Sequence, residues 1–339
     1  MSAGAAPVAV LVTGVGDTVG QAVIKAARAS SIPCRVVGTD RARPCVGLEW
    51  VDAGYLLPHC SDGPAYLTEL VRVCRKEAVR LILPGSEKEL ELLSRHAAEI
   101  ASEAGATVAA SPPTVLRIAL DKLETCRFLE RAGLAFPRYA PLAAAEEVER
   151  LVTEVGFPLV AKPVHGTGSR GLHRVDAWAD LEPVRELGVE MVVQERLEPD
   201  DEEYSVSVFT LSTGQTVGAV SYRRDQLVAG DTFRARVARH HDVEAEALRV
   251  AASLRPLGPC NVQLRRTSRG PITFEINPRF SGGTSMRARF GYNEVEMAIR
   301  DLVLHQPVPE PAVSSGTAIR YWGEMYFDDA GQPLDGPGV

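Results

Sequence analysis

The sequence predicts an α/β first third followed by an α+β remainder, and three observations predict it. Short apolar runs at residues 8–12, 34–40 and 79–83 alternate with helical segments, the pattern of a parallel, doubly wound sheet. Ser111-Pro112-Pro113 then punctuates the chain and marks a domain boundary. Beyond it, runs within 204–219, 260–266 and 271–277 read as antiparallel strands.

Taken in order, residues 8–12 form a first strand that runs into Thr13-Gly14-Val15-Gly16-Asp17-Thr18-Val19-Gly20 and a helix over 21–29. A strand at 34–40 ending in Asp40, a helix over 66–77, a strand at 79–83 and another helix after Pro84-Gly85 complete the first third. One helix is expected over 114–132, stopped by Gly133. Residues 158–163 form a strand, followed by the glycine-rich His165-Gly166-Thr167-Gly168-Ser169-Arg170-Gly171, a short strand, a helix over 178–187 and the apolar run 191–193. Residues 242–255 carry Val243, Ala247, Val250, Ala251 and Leu254 at helical spacing, with an Asp at the expected N-cap. A last helix is expected over 293–305.

Composition narrows the function. The 339 residues are 45% hydrophobic and 24% charged, and the formal net charge is −7 with acids and bases interspersed. No basic run suits a nucleic-acid backbone. No stretch reaches the roughly 18 apolar residues of a membrane span. Six cysteines lie scattered without a CxxC pair, which suits reduced thiols better than disulfides or a zinc site. The start lacks the charged and apolar regions of a signal peptide, so the expectation is a cytoplasmic protein.

The most informative stretch is Ile272-Thr273-Phe274-Glu275-Ile276-Asn277-Pro278-Arg279-Phe280. Alternation across a strand puts Phe274 and Ile276 on the packed face, with Glu275, Asn277 and Arg279 opposite. Asn261-Val262-Gln263-Leu264 alternates too and brings Gln263 to a polar face. Two carboxamides and a carboxylate are hard oxygen ligands that suit Mg²⁺ shared with phosphate oxygens, and an arginine beside them can clamp a phosphoryl group. By spacing alone the same residues read equally as one solvated sheet face. The glycine-rich loop after Lys162 can bring backbone N–H groups close to an anion, although it lacks the GK[ST] ending of a P-loop. A flexible hairpin is the plain alternative.

In this order the pieces resemble the ATP-grasp superfamily, in particular one half of the carbamoyl phosphate synthetase large subunit and the carboxylate–amine ligases of that design. The resemblance spans residues 111–305. Asp121-Lys122-Leu123-Glu124-Thr125-Cys126-Arg127-Phe128 looks like the family's helix whose basic residues, here Lys122 and Arg127, reach ATP phosphates. Lys162 matches the basic residue before the phosphate loop, here Gly166, Thr167, Gly168, Ser169 and Gly171. Gln194-Glu195-Arg196-Leu197 matches the adenine hinge, with Glu195 and Leu197 bonding through backbone, and Glu203 matches the ribose carboxylate, with Glu202 left open. Gln263, Glu275 and Asn277 match the residues that hold Mg²⁺, or Mn²⁺ in its place, and Arg279 the one facing the transferred phosphoryl group. Many ATP-grasp enzymes have a carboxylate where Gln263 stands, while the synthetase pattern has Gln.

The resemblance implies a Rossmann-like pre-ATP-grasp domain over 1–112 and a two-part ATP-grasp fold: a lid subdomain with its linking helix over 113–190, and a metal- and substrate-binding subdomain over 191–339. It implies ATP, with Lys162 and Arg279 as catalytic charges, and an amide-forming ligase acting on a small carboxylate and an amine, through an acyl phosphate. Phosphorylation of bicarbonate or carbamate is the alternative. Ser281, Gly282, Gly283, Thr284 and Arg287 follow the metal motif and are expected to border the acyl substrate; Arg287 reads equally as a helix salt bridge. Gly14, Gly16, Gly20 and Asp40 approximate a dinucleotide fingerprint, but as GxGxxxG, so a nicotinamide-dependent oxidoreductase is the other-class alternative. A homodimer is left open.

Overall fold

The structure, a computed structural model, describes residues 6–166 and 170–334. Among these residues three sheets form. The first joins β1 (Val8–Val12), β2 (Cys34–Asp40), β3 (Ala53–Leu56), β4 (Leu81–Leu83) and β5 (Thr107–Val108), all parallel, in the order β3-β2-β1-β4-β5. Every residue of β1 is buried, as a central parallel strand covered by helices on both faces requires. The expected doubly wound α/β domain is thus present. β3 and β5 were not among the expected strands; β3 is four residues long and ends in the exposed Leu56.

The second sheet is antiparallel: β6 (Tyr139–Pro141), β7 (Leu159–Pro163), β8 (His173–Val175) and β9 (Met191–Glu195), ordered β6-β9-β7-β8. β9 pairs along all of β7, so this small sheet takes in 191–195, residues assigned from the sequence to the next part. The third sheet contains β10 (Glu203–Thr210), β11 (Thr216–Val228), β12 (Asp231–Ala238), β13 (Gly258–Thr267), β14 (Gly270–Asn277) and β15 (Gly316–Ile319), antiparallel in the order β14-β13-β10-β11-β12-β15. The amphipathic helix His241–Leu254 lays Val243, Ala247, Val250, Ala251 and Leu254 on this sheet's core. His240 and not Asp242 holds its N-cap position.

The expected helix over 114–132 is two helices, Pro113–Ala119 and Lys122–Arg131. Asp121 makes the break, because its carboxylate accepts from the backbone N–H of Leu123 at 2.8 Å and Glu124 at 2.9 Å and so caps a new helix. The last expected helix runs from Glu294 to Ile299 and then widens to a π-turn over Arg300–Leu304.

Behind the N-terminal glycine turn lies a half-buried acid whose Oε2 is shut away from solvent. Glu89 accepts from Tyr66 Oη at 2.8 Å, and burial pushes its carboxyl up to about 7. Hydrogen bonds from Tyr66 and Thr13 oppose that rise. An unfolded glutamate titrates near 4.5, so between these values the folded chain holds the extra proton. Glu89 therefore weakens the fold as pH rises through this window, fully above it and not at all below. Glu89→Gln should stabilise the protein by up to about 3 kcal/mol near pH 8 and leave it unchanged near pH 4. Urea melts at both pH values check this; a gain of the same size at both would trace it to packing and not to charge.

Candidate functional site

A cavity of about 300 Å³ opens between the small sheet and the large one. Its upper wall is Val160 and Lys162 of β7 with Gln194 and Glu195 of β9; its floor is Glu203, Arg224, Gln263, Arg265, Phe274 and Glu275 from four strands of the large sheet. Eight of the sequence-selected residues meet here: Lys122, Lys162, Gly166, Leu197, Glu195, Glu203 and the pair Gln263–Glu275.

The floor is shaped by an irregularity. In the β13–β14 ladder Gln263 faces Glu275 but Leu264 faces Thr273, which leaves Phe274 unpaired as a β-bulge. The bulge breaks strict alternation, so Phe274 turns to the cavity beside Glu275 and does not share the packed face of Ile276 as expected. Lys162 Nζ stands over its ring, 5.7 Å from the centroid and 3.4 Å from the Phe274 carbonyl. Only 8% of Lys162 is exposed, and this burial pushes its ammonium below the ordinary lysine range, while Cys126, Glu275 and Glu203 pull it back up.

Glu275 Oε1 accepts from Asn277 Nδ2 at 2.9 Å and lies 3.4 Å from Gln263 Nε2. The three expected metal ligands therefore converge on one carboxylate. Together they offer a single formal negative charge, and among the described residues no three His, Cys, Asp or Glu gather as a metal site. Such a set suits a hard cation that brings phosphate oxygens with it and is too poor to hold one unaided.

At the other end, Glu195 is fixed by Arg269 Nη2 at 2.6 Å and by the Arg138 backbone N–H at 2.7 Å. Arg265 ties the hinge to the floor: it donates to the Leu197 carbonyl at 2.6 Å, to Asp200 at 3.1 Å and to Glu203. Sequence reasoning missed Arg265, although it stands two residues after Gln263 and so shares its face. Arg170, which lines the cavity, was missed as well. Lys122 Nζ donates to the Gly166 carbonyl at 2.6 Å. Gly166 and Gly171 have φ of +119° and +71°, conformations open to glycine, while Thr167, Gly168 and Ser169 lie outside the described residues.

Other expected residues stand elsewhere. Arg127 is five positions along the helix from Lys122, well around the cylinder, and pairs with Glu124 at 2.8 Å on the surface. Arg279 is not among the residues lining the cavity and pairs with Glu87 of the N-terminal domain at 2.9 Å. Arg287 is fully buried: it pairs with Glu294 at 2.9 Å and donates to Ser281 Oγ at 2.8 Å and Thr284 Oγ1 at 3.3 Å. It holds the Ser281–Thr284 loop from beneath and does not face the cleft, because the helix Thr284–Arg289 turns it inward onto Glu294. A Cβ at Gly283 would stand 2.4 Å from Tyr222 Oη, and one at Gly282 would stand 2.8 Å from Arg320.

The N-terminal glycine turn has an occupant of its own. Asp40 Oδ2 accepts from the Gly16 N–H at 2.7 Å, in the place where a dinucleotide fingerprint would offer that donor to a pyrophosphate. Asp17 lies beside it, its carboxyl pushed upward by burial and Asp40 against the opposing pull of Arg41 and Lys88.

Comparisons with known proteins give a consistent picture. Residues 188–324 match the family described as "ATP-grasp in the biosynthetic pathway with Ter operon", and residues 10–109 the "PylC-like, N-terminal domain". The chain is 25% identical over 331 residues to a formate-dependent phosphoribosylglycinamide formyltransferase of Synechococcus sp. (strain CC9605), covering 93% of this chain and 80% of that protein. In fold it is similar to biotin carboxylase of Campylobacter jejuni in its β-γ-ATP complex (TM-score 0.70, 15% identity, 91% of this chain and 74% of that one). It is equally similar to N5-carboxyaminoimidazole synthetase of Staphylococcus aureus complexed with ADP (TM-score 0.70, 16% identity, 90% and 80% covered). Among the described residues no helix is long and apolar enough to cross a membrane.

Proposed function

This chain belongs to the ATP-grasp superfamily, and from that premise we propose that it joins a small carboxylic acid to an amine through an acyl phosphate, releasing ADP and phosphate. The observation that carries the reading is the convergence of Lys162, Glu275, Gln263 and Asn277 on one cavity between the two antiparallel sheets. ATP lies in that cavity, its adenine against the backbone of Glu195 and Leu197 and its ribose near Glu203. Lys122, Lys162 and the loop from Gly166 to Gly171 neutralise the phosphates. Gln263, Glu275 and Asn277 hold Mg²⁺, or Mn²⁺, which when bound supplies charge neutralisation on the β- and γ-phosphates. Arg279, at the end of the metal strand and linked to Glu87, offers a guanidinium to the γ-phosphoryl group that the substrate carboxylate attacks. Closure of the small sheet over the large one keeps water from the acyl phosphate, and the amine enters from the side of Ser281–Thr284. Positioning and electrostatics carry the catalysis, with no nucleophile on the protein.

Amide formation is favoured over carbamoyl phosphate synthesis because one nucleotide cavity with one set of metal ligands, as found among the described residues, serves one phosphorylation, whereas making carbamoyl phosphate from bicarbonate takes two. The test is ADP release over a panel of amino acids and small carboxylates, each with and without amines, against bicarbonate plus ammonia, with product mass recorded. An amide from an acid–amine pair is the expected product. Carbamoyl phosphate, with no amide from any pair, would replace this reading with the alternative.

A further inference from the structure

Arg224 sits where its charge opposes the proposed chemistry. It is only 8% exposed at the side chain and lines the cavity floor. Its Nη1 donates to Gln263 Oε1 at 2.7 Å, the same amide oxygen a metal would need, and also to Glu203. A guanidinium so placed stands within a few ångströms of any cation held on Gln263 and Glu275, and with few water molecules between them like charges repel strongly. The other end of the same group is anchored elsewhere. Nε donates to Thr232 Oγ1 at 2.9 Å and Nη2 to the Gly230 carbonyl, both on the β11–β12 hairpin. Leu227 and Gly230 of that hairpin also line the cavity. One side chain thus joins the metal ligands, the ribose-side carboxylate and a hairpin over the nucleotide cavity.

We propose that Arg224 is a gating residue that makes divalent-metal binding depend on nucleotide. Without nucleotide it occupies Gln263 and Glu203 as the floor's own cation and excludes Mg²⁺ or Mn²⁺. A polyphosphate supplies the negative charge that both cations need, draws the guanidinium from Gln263 and thereby releases that oxygen to the metal. Because Thr232 and Gly230 hold the same guanidinium, the hairpin rearranges in the same step. The order is nucleotide before free metal. This rests on the placement of nucleotide and metal proposed above.

The probe is Mn²⁺, whose free aquo ion is counted by its electron paramagnetic resonance signal while the full chain is titrated without nucleotide. The parent protein should bind Mn²⁺ no more tightly than about millimolar. Arg224→Met keeps length and removes charge, and it should bind Mn²⁺ at least tenfold more tightly than the parent. Arg224→Lys keeps the charge and should behave like the parent, which a purely structural role for the side chain would not predict. A folded Arg224→Met protein with Mn²⁺ affinity within twofold of the parent overturns the proposal. So does micromolar binding of Mn²⁺ by the parent alone, an arm that needs no variant. Nucleotide binding by the parent is measured separately by equilibrium dialysis with an unhydrolysable ATP analogue. Its failure would sink the proposed function, whereas its success with an unchanged Arg224→Met sinks only the gate.

Discussion

Glu275→Ala should slow ADP formation by at least about a hundredfold to a thousandfold while leaving the melting temperature within a few degrees of the parent. The size follows from what the carboxylate does. It is the one formal negative charge among the three proposed metal ligands, and both carboxamide partners orient on its Oε1. Removing it takes away the strongest ligand and the acceptor that holds the other two. The fold should tolerate the loss because strand alternation turns Glu275 to the cavity and not to the core built on Val262, Leu264 and Ile276. Glu275→Gln separates charge from shape: it keeps the volume and should be nearly as slow. Steady-state ADP release with the acid–amine pair that the substrate panel identifies, beside thermal melts, decides the matter. A folded Glu275→Ala protein that forms ADP at near the parent rate removes Glu275 from the metal set.

The reach of the sequence can be traced through the same residues. The parallel first domain was legible because β1, β2 and β4 are short apolar runs separated by helical segments, while β3 escaped notice because four residues ending in an exposed leucine show no period. Gln263 and Glu275 were legible because antiparallel strands alternate and the two stand in register. Phe274 was misread for a physical reason: a bulge adds a residue to one strand, and period-two reasoning has no way to count it. Arg265 was readable in principle, two residues beyond Gln263 on the same face. Arg127 was not, since a family motif names residue types along a helix while the helix itself turns them to different sides. The Asp121 break illustrates the same limit, because capping depends on where the backbone leaves the helix and not only on the presence of an acid.

Arg287 is where an arginine beside the substrate loop and an arginine holding that loop must be told apart, and Arg287→Met should cost about 3–5 kcal/mol of stability. Both Arg287 and Glu294 are 0% exposed, and the loop hydroxyls of Ser281 and Thr284 accept from the same Nη2 that meets Glu294. Truncating the arginine leaves Glu294 buried with Ser207 as its remaining side-chain donor. A carboxylate in that position must stay charged without a partner or take up a proton, and either is unfavourable. The melting temperature should fall by on the order of 10 °C. Replacing both partners, Arg287→Met with Glu294→Leu, leaves no orphaned charge and should recover most of the loss, so the two substitutions are strongly non-additive. Substrate recognition predicts a different set of results: a raised KM, an unchanged melt, and no rescue by a second change at Glu294. Melts of the two single variants and the double variant, with KM for the acid measured on each folded protein, separate the two roles. An Arg287→Met protein that melts with the parent and loses only substrate affinity would return this arginine to the binding site.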